Sequence, residues 1–123
     1  MALCCNLFMV YKMGKFKYFE TNIQGGCFFE FQRGKWDGKS HWKSDSLYLY
    51  ADVFDGLGIY PVFANAFELF NYYGPNEVTR DIWDKIVLNS RKTGGETAAL
   101  IDEAIPWAEE NFLRFDVFYM LGI

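Results

Sequence analysis

The single histidine, His41, is the side chain in this sequence best suited to acid–base chemistry near neutral pH. It lies in a turn-rich segment from Lys39 to Lys43. A general base or an activated nucleophile needs a partner within hydrogen-bond distance, and no acid or cysteine stands at a characteristic spacing from His41. We therefore predict a structural or solvent-exposed histidine. A small hydrolase or metal-dependent enzyme that pairs His41 with acidic residues is the alternative.

Paired carboxylates could hold a metal ion or act as acid and base. Asp81 and Asp84 stand three residues apart, which places them on one face of a helix. Acids in a first helical turn usually complement the helix dipole, and no histidine lies at metal-ligand spacing from them. The same reasoning covers the remaining candidates, which are Asp52 with Asp55, Asp102 with Glu103, and Glu109 with Glu110. We predict no catalytic residue, no metal site and no cofactor.

Aromatic side chains beside lysines form a second kind of candidate site. Trp36, Trp42, Tyr48 and Tyr50 lie close in the sequence to Lys35, Lys39 and Lys43. Stacking surfaces next to cations bind sugars and single-stranded nucleic acids. Cross-strand packing with solvated lysines explains the same pattern, so a carbohydrate- or nucleic-acid-binding module is a further alternative. Exposed Trp or Tyr also anchors protein contacts.

The cysteines and the N-terminal segment indicate the cellular compartment of the protein. Cys4, Cys5 and Cys27 are an odd number without CxxC spacing, which predicts buried free thiols rather than disulfides or zinc ligands. The apolar run from Leu3 to Tyr11 has no basic residue before it and no small-residue cleavage site after it. No apolar stretch approaches the roughly 18 residues that cross a membrane. We expect a cytoplasmic chain with no membrane partner.

Charge is unevenly distributed along the 123 residues. Residues 1–43 hold seven Lys and Arg against three acids, a net +4, whereas residues 44–123 hold five against thirteen, a net −8. Nucleic acid binding needs clustered cations. The acidic second part therefore disfavours a nucleic acid partner and favours a basic protein partner.

The first part of the chain has the two-residue period of strands. Candidate strands cover Leu3 to Tyr11, Lys15 to Ile23, Cys27 to Gln32 and Ser46 to Tyr50. In the third of these, Phe29 and Phe31 should lie on the better-buried face, opposite Glu30 and Gln32. Asp37-Gly38 predicts a two-residue hairpin turn that would let Trp36 and Trp42 pair across it.

In the second half of the chain, the spacing of apolar residues lengthens to the period of helices. We predict a short helix near Asp52, one from Pro61 to about Tyr72, and one capped by Thr79 that runs to about Arg91. A fourth helical stretch from Glu96 to Phe112 has Pro106 in its middle, which predicts a kink or two abutting helices. Its acids, Asp102, Glu103, Glu109 and Glu110, should face solvent.

The C-terminal segment is predicted to lie at the centre of the sheet. From Phe115 to Leu121, both alternating faces are apolar apart from Asp116. The expected fold class is α+β in a single domain, residues 1–123. A mixed, mostly antiparallel sheet combines the strands of the N-terminal half with the C-terminal strand, and three to four helices cover it.

The segment Glu103-Ala104-Ile105-Pro106-Trp107 is followed by an aromatic strand that ends in Leu121-Gly122-Ile123. This combination resembles the small immunity proteins of bacterial toxin–immunity systems, which include contact-dependent growth inhibition systems. Asp45-Ser46-Leu47-Tyr48-Leu49, Tyr72-Tyr73-Gly74 and Trp83 fit the same pattern. The N-terminal half diverges from it.

The resemblance implies a non-catalytic inhibitor that binds a cognate toxin domain and covers its active site or partner-binding surface. Many such toxins are nucleases with basic clefts, which an acidic protein would meet quickly and specifically. We expect a monomer or weak homodimer. The partner-binding residues predicted from charge and exposure are Glu77, Asp81, Asp84 and Trp36.

Overall fold

The structure, a computed structural model, describes residues 16–22 and 25–122. Its strands are β1 (Phe19–Glu20), β2 (Phe28–Arg33), β3 (Leu47–Tyr50), β4 (Asn76–Thr79) and β5 (Val117–Gly122). Its helices are α1 (Ala51–Gly56), α2 (Tyr60–Ala64), α3 (Arg80–Thr93) and α4 (Gly95–Phe112). Within this part of the chain, no helix is both long and apolar enough to cross a membrane.

The five strands form one sheet in the order β1-β3-β2-β5-β4, and every neighbouring pair is antiparallel. The predicted α+β fold is confirmed, and β5 lies inside the sheet between β2 and β4, as its two apolar faces indicate. The strand predicted for Leu3 to Tyr11 lies outside the described residues.

One face of the sheet packs against the helices and forms the main core. Phe29 contacts Phe54 of α1 with ring centroids 4.6 Å apart, and Phe31 contacts Trp107 of α4 at 6.4 Å. Phe118 of β5 lies 5.2 Å from the Trp107 ring. Burying large aromatic rings of this kind is a main source of stability in small domains.

The opposite face of the sheet is also covered. Glu30 and Gln32 of β2 have 0% and 2% of their surface exposed, so the prediction of one better-buried face in this strand is wrong. The connection from β2 to β3, residues 34–46, lies over these side chains. It is much longer than a two-residue hairpin, because Asp37 forms a local turn instead, accepting from the backbone N–H groups of Lys39 (2.9 Å) and Ser40 (2.7 Å).

The helices agree with prediction at one boundary and differ from it at another. Thr79 caps α3 as predicted, accepting from the Ile82 N–H at 3.2 Å. The helix that begins beside Pro61 ends at Ala64 rather than near Tyr72. Polar side chains beyond it compete with helical hydrogen bonds: the Asn71 N–H donates to the Asn76 side chain at 2.9 Å.

Pro106 lies within one continuous helix, α4. Two acids of this helix depart from the predicted solvent-facing role. Glu103 accepts from the backbone N–H groups of Lys17 (2.7 Å) and Tyr18 (3.0 Å), which attaches the segment around β1 to α4. Glu110 forms an ion pair with Arg33 at 2.9 Å.

Candidate functional site

A buried carboxylate organises the loop of residues 34–46. Glu30 Oε1 accepts from the Trp42 N–H at 3.1 Å, and Oε2 accepts from the Lys43 N–H at 2.9 Å and the Ser46 hydroxyl at 2.7 Å. Successive backbone N–H groups of this kind form a concave anion site. Here the anion belongs to the protein itself, so the charge of Glu30 is compensated without a cation.

Tyr48 completes this network from the adjacent strand. Its hydroxyl donates to the Lys43 carbonyl at 2.9 Å and lies 3.4 Å from Glu30 Oε2. Burial, reinforced by the nearby charge of Glu30, raises the pKa of Tyr48 to about 12. Tyr48 therefore remains a neutral hydrogen-bond donor across the physiological pH range.

His41 approaches the same carboxylate. Its Nδ1 lies 3.8 Å from Glu30 Oε1, and 35% of its side-chain surface is exposed. That distance is longer than a hydrogen bond but within reach of a small movement. The sequence did not indicate Glu30 as the acid nearest His41, because an isolated Glu in an alternating strand is usually solvent-facing.

The four candidate platform aromatics are not equivalent. The Trp36 indole N–H donates to the Ser40 carbonyl at 2.7 Å, and its ring lies 5.7 Å from that of His41. Trp42 instead packs against Phe28 at 5.1 Å and is 59% exposed. Tyr48 is buried, and Tyr50 is half-buried. Trp36 and Trp42 thus have different neighbours and do not form the predicted cross-strand pair.

Trp42 also has an unusual backbone. Its φ of 64° is the only positive value among the non-glycine residues in the described part of the chain. For a bulky side chain this left-handed conformation costs about 1–2 kcal/mol. It is the conformation in which the N–H groups of Trp42 and Lys43 both reach Glu30.

A second candidate site combines tyrosines with acids, and we call it the tyrosine–acid surface. It comprises Asp52, Asp55, Tyr60, Glu68, Leu69, Tyr72 and Tyr73. The exposed fractions of Tyr60, Leu69 and Tyr73 are 46%, 87% and 74%. Both oxygens of Asp55 lie 3.1 Å from the Tyr72 hydroxyl, which donates to this carboxylate.

Ring contacts connect the three tyrosines of the tyrosine–acid surface. Tyr72 lies 6.5 Å from Tyr60 and 5.1 Å from Tyr73 between ring centroids, and Tyr60 lies 5.6 Å from Phe70. Burial and the hydrogen bond to Asp55 raise the pKa of Tyr72. Tyr60, Tyr72 and Tyr73 therefore form a continuous aromatic patch with the Asp55 carboxylate beside it.

The backbone beneath Tyr73 is firmly held. The Asn76 side-chain amide donates to the Asn71 carbonyl at 2.7 Å, and the Tyr73 N–H donates to Asn71 Oδ1 at 3.1 Å. The Gly122 N–H donates to the Tyr73 carbonyl at 3.1 Å. Tyr73 is thus attached to β5 in the middle of the sheet, which gives an exposed side chain a rigid base.

Gly122 has no room for a side chain at this contact. An added Cβ would lie 2.5 Å from the Tyr72 carbonyl oxygen and 2.7 Å from the Tyr73 Cα, both of which are backbone atoms. We expect Gly122→Ala to lower the free energy of unfolding by about 2 kcal/mol, because the strand or the tyrosine segment must move. Chemical denaturation measures this difference.

Gly56→Ala is the matched control for Gly122→Ala. No atom lies within 4 Å of a Cβ placed at Gly56, so its stability should stay within about 0.5 kcal/mol of wild type. Equal stability of Gly122→Ala and wild type would show that the close approach does not constrain this segment.

The acids predicted as partner contacts are all exposed, but they do not form one cluster. Glu77 of β4 accepts from the Tyr119 hydroxyl at 3.2 Å and follows the tyrosine–acid surface in the chain. Asp81 and Asp84 lie on α3, where Arg80 lies 3.5 Å from Asp84 and 2.7 Å from Glu109. The positive charge of Arg80 therefore offsets part of that acidic region.

The other polar candidates are equally dispersed. Among residues 16–22 and 25–122, no three His, Cys, Asp or Glu side chains converge where they could hold a metal ion. Cys27 is free but exposed, which contradicts the predicted buried thiol, while Cys4 and Cys5 lie outside the described residues. A depression of about 300 Å³ is lined by Pro61, Val62, Asn65, Asn89, Lys92 and Thr93.

The sequence contains an indication of the tyrosine–acid surface, which is an interval without cations rather than a pair of acids. Between Lys43 and Arg80 the chain has no Lys, Arg or His. All five acids of that interval, Asp45, Asp52, Asp55, Glu68 and Glu77, are exposed. A long interval without cations is thus a better indicator of this acidic surface than local acid spacing.

Comparison of the chain with protein-family models, curated proteins and solved structures finds no significant match.

Proposed function

We propose that this chain is an immunity protein that binds a cognate bacterial toxin domain and neutralises it by occlusion, without catalysis. The observation that carries the proposal is the combination of exposed Tyr60, Leu69 and Tyr73 with a chain interval that has five exposed acids and no cation. Aromatic residues supply contact area at interfaces, and charged rims direct encounter.

The proposed partner is a toxin domain with a basic cleft, such as a nuclease. Carboxylates at the edge of the tyrosine–acid surface would speed its association, whereas the tyrosines would slow its dissociation. The proposal includes a cytoplasmic location, where a cell meets the toxin it must resist. It assigns no nucleic acid or membrane partner, and the free chain is a monomer or weak homodimer.

The segments that carry the family resemblance contact one another in the fold. Tyr73 and Gly122 are hydrogen-bonded at 3.1 Å. The Trp107 indole donates to the Asp45 carbonyl at 3.0 Å, and Trp83 packs against Phe118 at 5.8 Å. Trp83 and Trp107 therefore have structural roles, whereas Tyr72 and Tyr73 belong to the tyrosine–acid surface as well as to the segments that carry the resemblance.

Co-expression with the toxin encoded by the adjacent upstream gene tests the function directly. Cells that carry both genes should grow, and cells that carry the toxin alone should not. Death of the co-expressing cells, with no association of the purified proteins at micromolar concentration, would refute the proposal.

Variants of the tyrosine–acid surface test where binding occurs. Tyr73→Ala should weaken affinity for the toxin domain by about tenfold or more, chiefly through faster dissociation. The double variant Asp52→Asn with Glu68→Gln should instead slow association and reduce its dependence on salt. Surface plasmon resonance at two ionic strengths separates the two effects.

Two matched variants control for loss of apolar area and loss of charge elsewhere. Leu113→Ala removes an 85% exposed side chain at the end of α4, and Asp116→Asn removes an exposed carboxylate. Both should bind the toxin domain as wild type does. If Tyr73→Ala binds as tightly as these controls, the tyrosine–acid surface is not the contact.

A small hydrolase that uses His41 with Glu30 is the second candidate, because the 3.8 Å approach places them nearly in contact. Glu30 is fully buried and already accepts three hydrogen bonds, which favours a structural role. The variant His41→Ala separates the two candidate functions. If the chain is an inhibitor, the variant should still protect cells from the toxin. If the chain is a hydrolase, the variant should lose its activity.

A further inference from the structure

We infer that Trp42 is an anchor residue of the partner interface, and that the Glu30 carboxylate positions it. This inference rests on the proposed function and assigns a second contact to it. The partner that fits is a toxin domain with an apolar pocket for the indole and a hydrogen-bond acceptor inside that pocket.

The first support is that one residue departs from two rules at once. Trp42 has a left-handed backbone, a conformation that glycine or asparagine adopts more readily, and it leaves 59% of the largest apolar side chain in water. Strained residues that the surrounding structure holds in place concentrate at functional sites. Tryptophan is also among the residues most enriched at the energetic centres of interfaces.

The second support is the way the loop holds this side chain. Glu30 fixes the backbone on both sides of the Trp42–Lys43 peptide, at 3.1 Å and 2.9 Å, and Phe28 supports one part of the indole at 5.1 Å. A side chain held in this way loses little conformational freedom on binding. The exposed remainder of the ring is therefore ready for contact.

The third support defines the partner's chemistry. Within the described part of the chain no hydrogen bond to the Trp42 indole N–H is found, whereas the indoles of Trp36 and Trp107 donate to backbone carbonyls. A buried indole usually needs an acceptor for this N–H. Trp83 Nε1 is buried without a hydrogen-bond partner, so an acceptor is not obligatory. A pocket that provides a carbonyl or carboxylate oxygen would nevertheless fit the Trp42 indole best.

Trp42 and the tyrosine–acid surface lie at the same end of the sheet. Phe28 beneath Trp42 pairs with Tyr50, and its neighbour Phe29 pairs with Gly122, which bonds to Tyr73. Tyr50 leads directly into α1, which carries Asp52 and Asp55. Trp42 packs on Phe28 and Tyr72 packs on Phe29, which lie on opposite faces of the sheet, so a partner domain that contacts both sites must extend around this end of the sheet.

Fluorine NMR with 5-fluorotryptophan gives a direct test on the whole chain. The four tryptophans give four resonances, which the variants Trp36→Phe and Trp42→Phe help to assign. Unlabelled toxin domain from the adjacent gene should shift the Trp42 resonance most and leave those of buried Trp83 and Trp107 nearly unchanged. An unmoved Trp42 resonance in a saturated complex would overturn the inference.

Affinity measurements add a quantitative test. Trp42→Ala should weaken binding by about 30-fold or more, and Trp42→Phe should fall between Trp42→Ala and wild type because it keeps a ring but loses the N–H. Trp42→Gly should bind as poorly as Trp42→Ala. It should melt at a higher temperature than Trp42→Ala, because glycine adopts the left-handed backbone conformation without strain. Leu88→Ala, which removes a 54% exposed side chain from α3, should bind like wild type.

The outcomes separate this inference from the proposed function. If the toxin domain binds wild type and Trp42→Ala within threefold of each other, the anchor assignment is wrong and the inhibitor function stands. If wild type neither binds the toxin domain nor shifts any resonance at micromolar concentration, both are wrong.

Discussion

Deleting Tyr119 to Ile123 should abolish soluble expression of the chain. The deletion removes most of β5, which lies between β2 and β4, and thereby exposes the edges of both neighbours. It also removes Met120 and Leu121, which are 0% and 3% exposed. Unpaired strand edges combined with exposed apolar surface favour aggregation.

The fraction of soluble protein after centrifugation of cell extracts measures this effect. Tyr119→Phe is the matched control, because it keeps the strand and loses only the hydroxyl that donates to Glu77 at 3.2 Å. It should remain soluble. A truncated chain that is soluble and melts cooperatively would contradict the central position of β5.

Glu30→Gln should lower the free energy of unfolding by about 3 kcal/mol. A glutamine has one acceptor oxygen in place of two. Its NH2 group would face either the Trp42 N–H, at the position of Oε1, or the Lys43 N–H and the Ser46 hydroxyl, at the position of Oε2. Buried donors left without a partner cost about 1–3 kcal/mol each. The amide hydrogens of Trp42 and Lys43 should also exchange faster with solvent, because the loop loses its attachment.

Glu20→Gln is the control for this charge change. Glu20 lies on β1 with its side chain exposed, and it pairs with Tyr48 across the same sheet. The free energy of unfolding of Glu20→Gln should remain within about 0.5 kcal/mol of the wild-type value. If Glu30→Gln were as stable as Glu20→Gln, the carboxylate would not be what holds residues 34–46.

The elements predicted correctly are those in which local pattern and tertiary contact agree. β5 has two apolar faces and lies in the sheet interior, and Thr79 caps α3. The missed strand, β4, has four residues, Asn76–Thr79, without an apolar alternation that would identify it. It forms because β5 provides a partner strand, which a local pattern cannot show.

The errors arise where side chains satisfy the backbone. Asn71 and Asn76 hydrogen-bond to the segment after α2 and end a helix that the apolar period would extend. Asp37 does the same in residues 34–46, so an Asp-Gly pair that favours a hairpin lies within a longer loop. Both patterns depend on which backbone groups remain unpaired in three dimensions.

The candidate site was only partly accessible from the sequence. The sequence indicates Trp36 and Trp42 as candidates. The position of Trp42, however, depends on Glu30, a residue 12 positions away that sequence alternation assigns to the less buried face. The tyrosine–acid surface joins α1, α2 and the segment before β4. Its acids are separated in the sequence, and the contact between Asp55 and Tyr72 spans 17 residues.

Titration of the toxin domain with the purified chain tests the central claim most directly. A stoichiometric inhibitor should reduce toxin activity linearly, reaching zero at one molar equivalent when the toxin concentration is well above Kd. Toxin activity that persists at a tenfold excess of the chain would contradict inhibition. Complete loss of toxin activity at a hundredth of an equivalent would contradict occlusion and indicate catalysis.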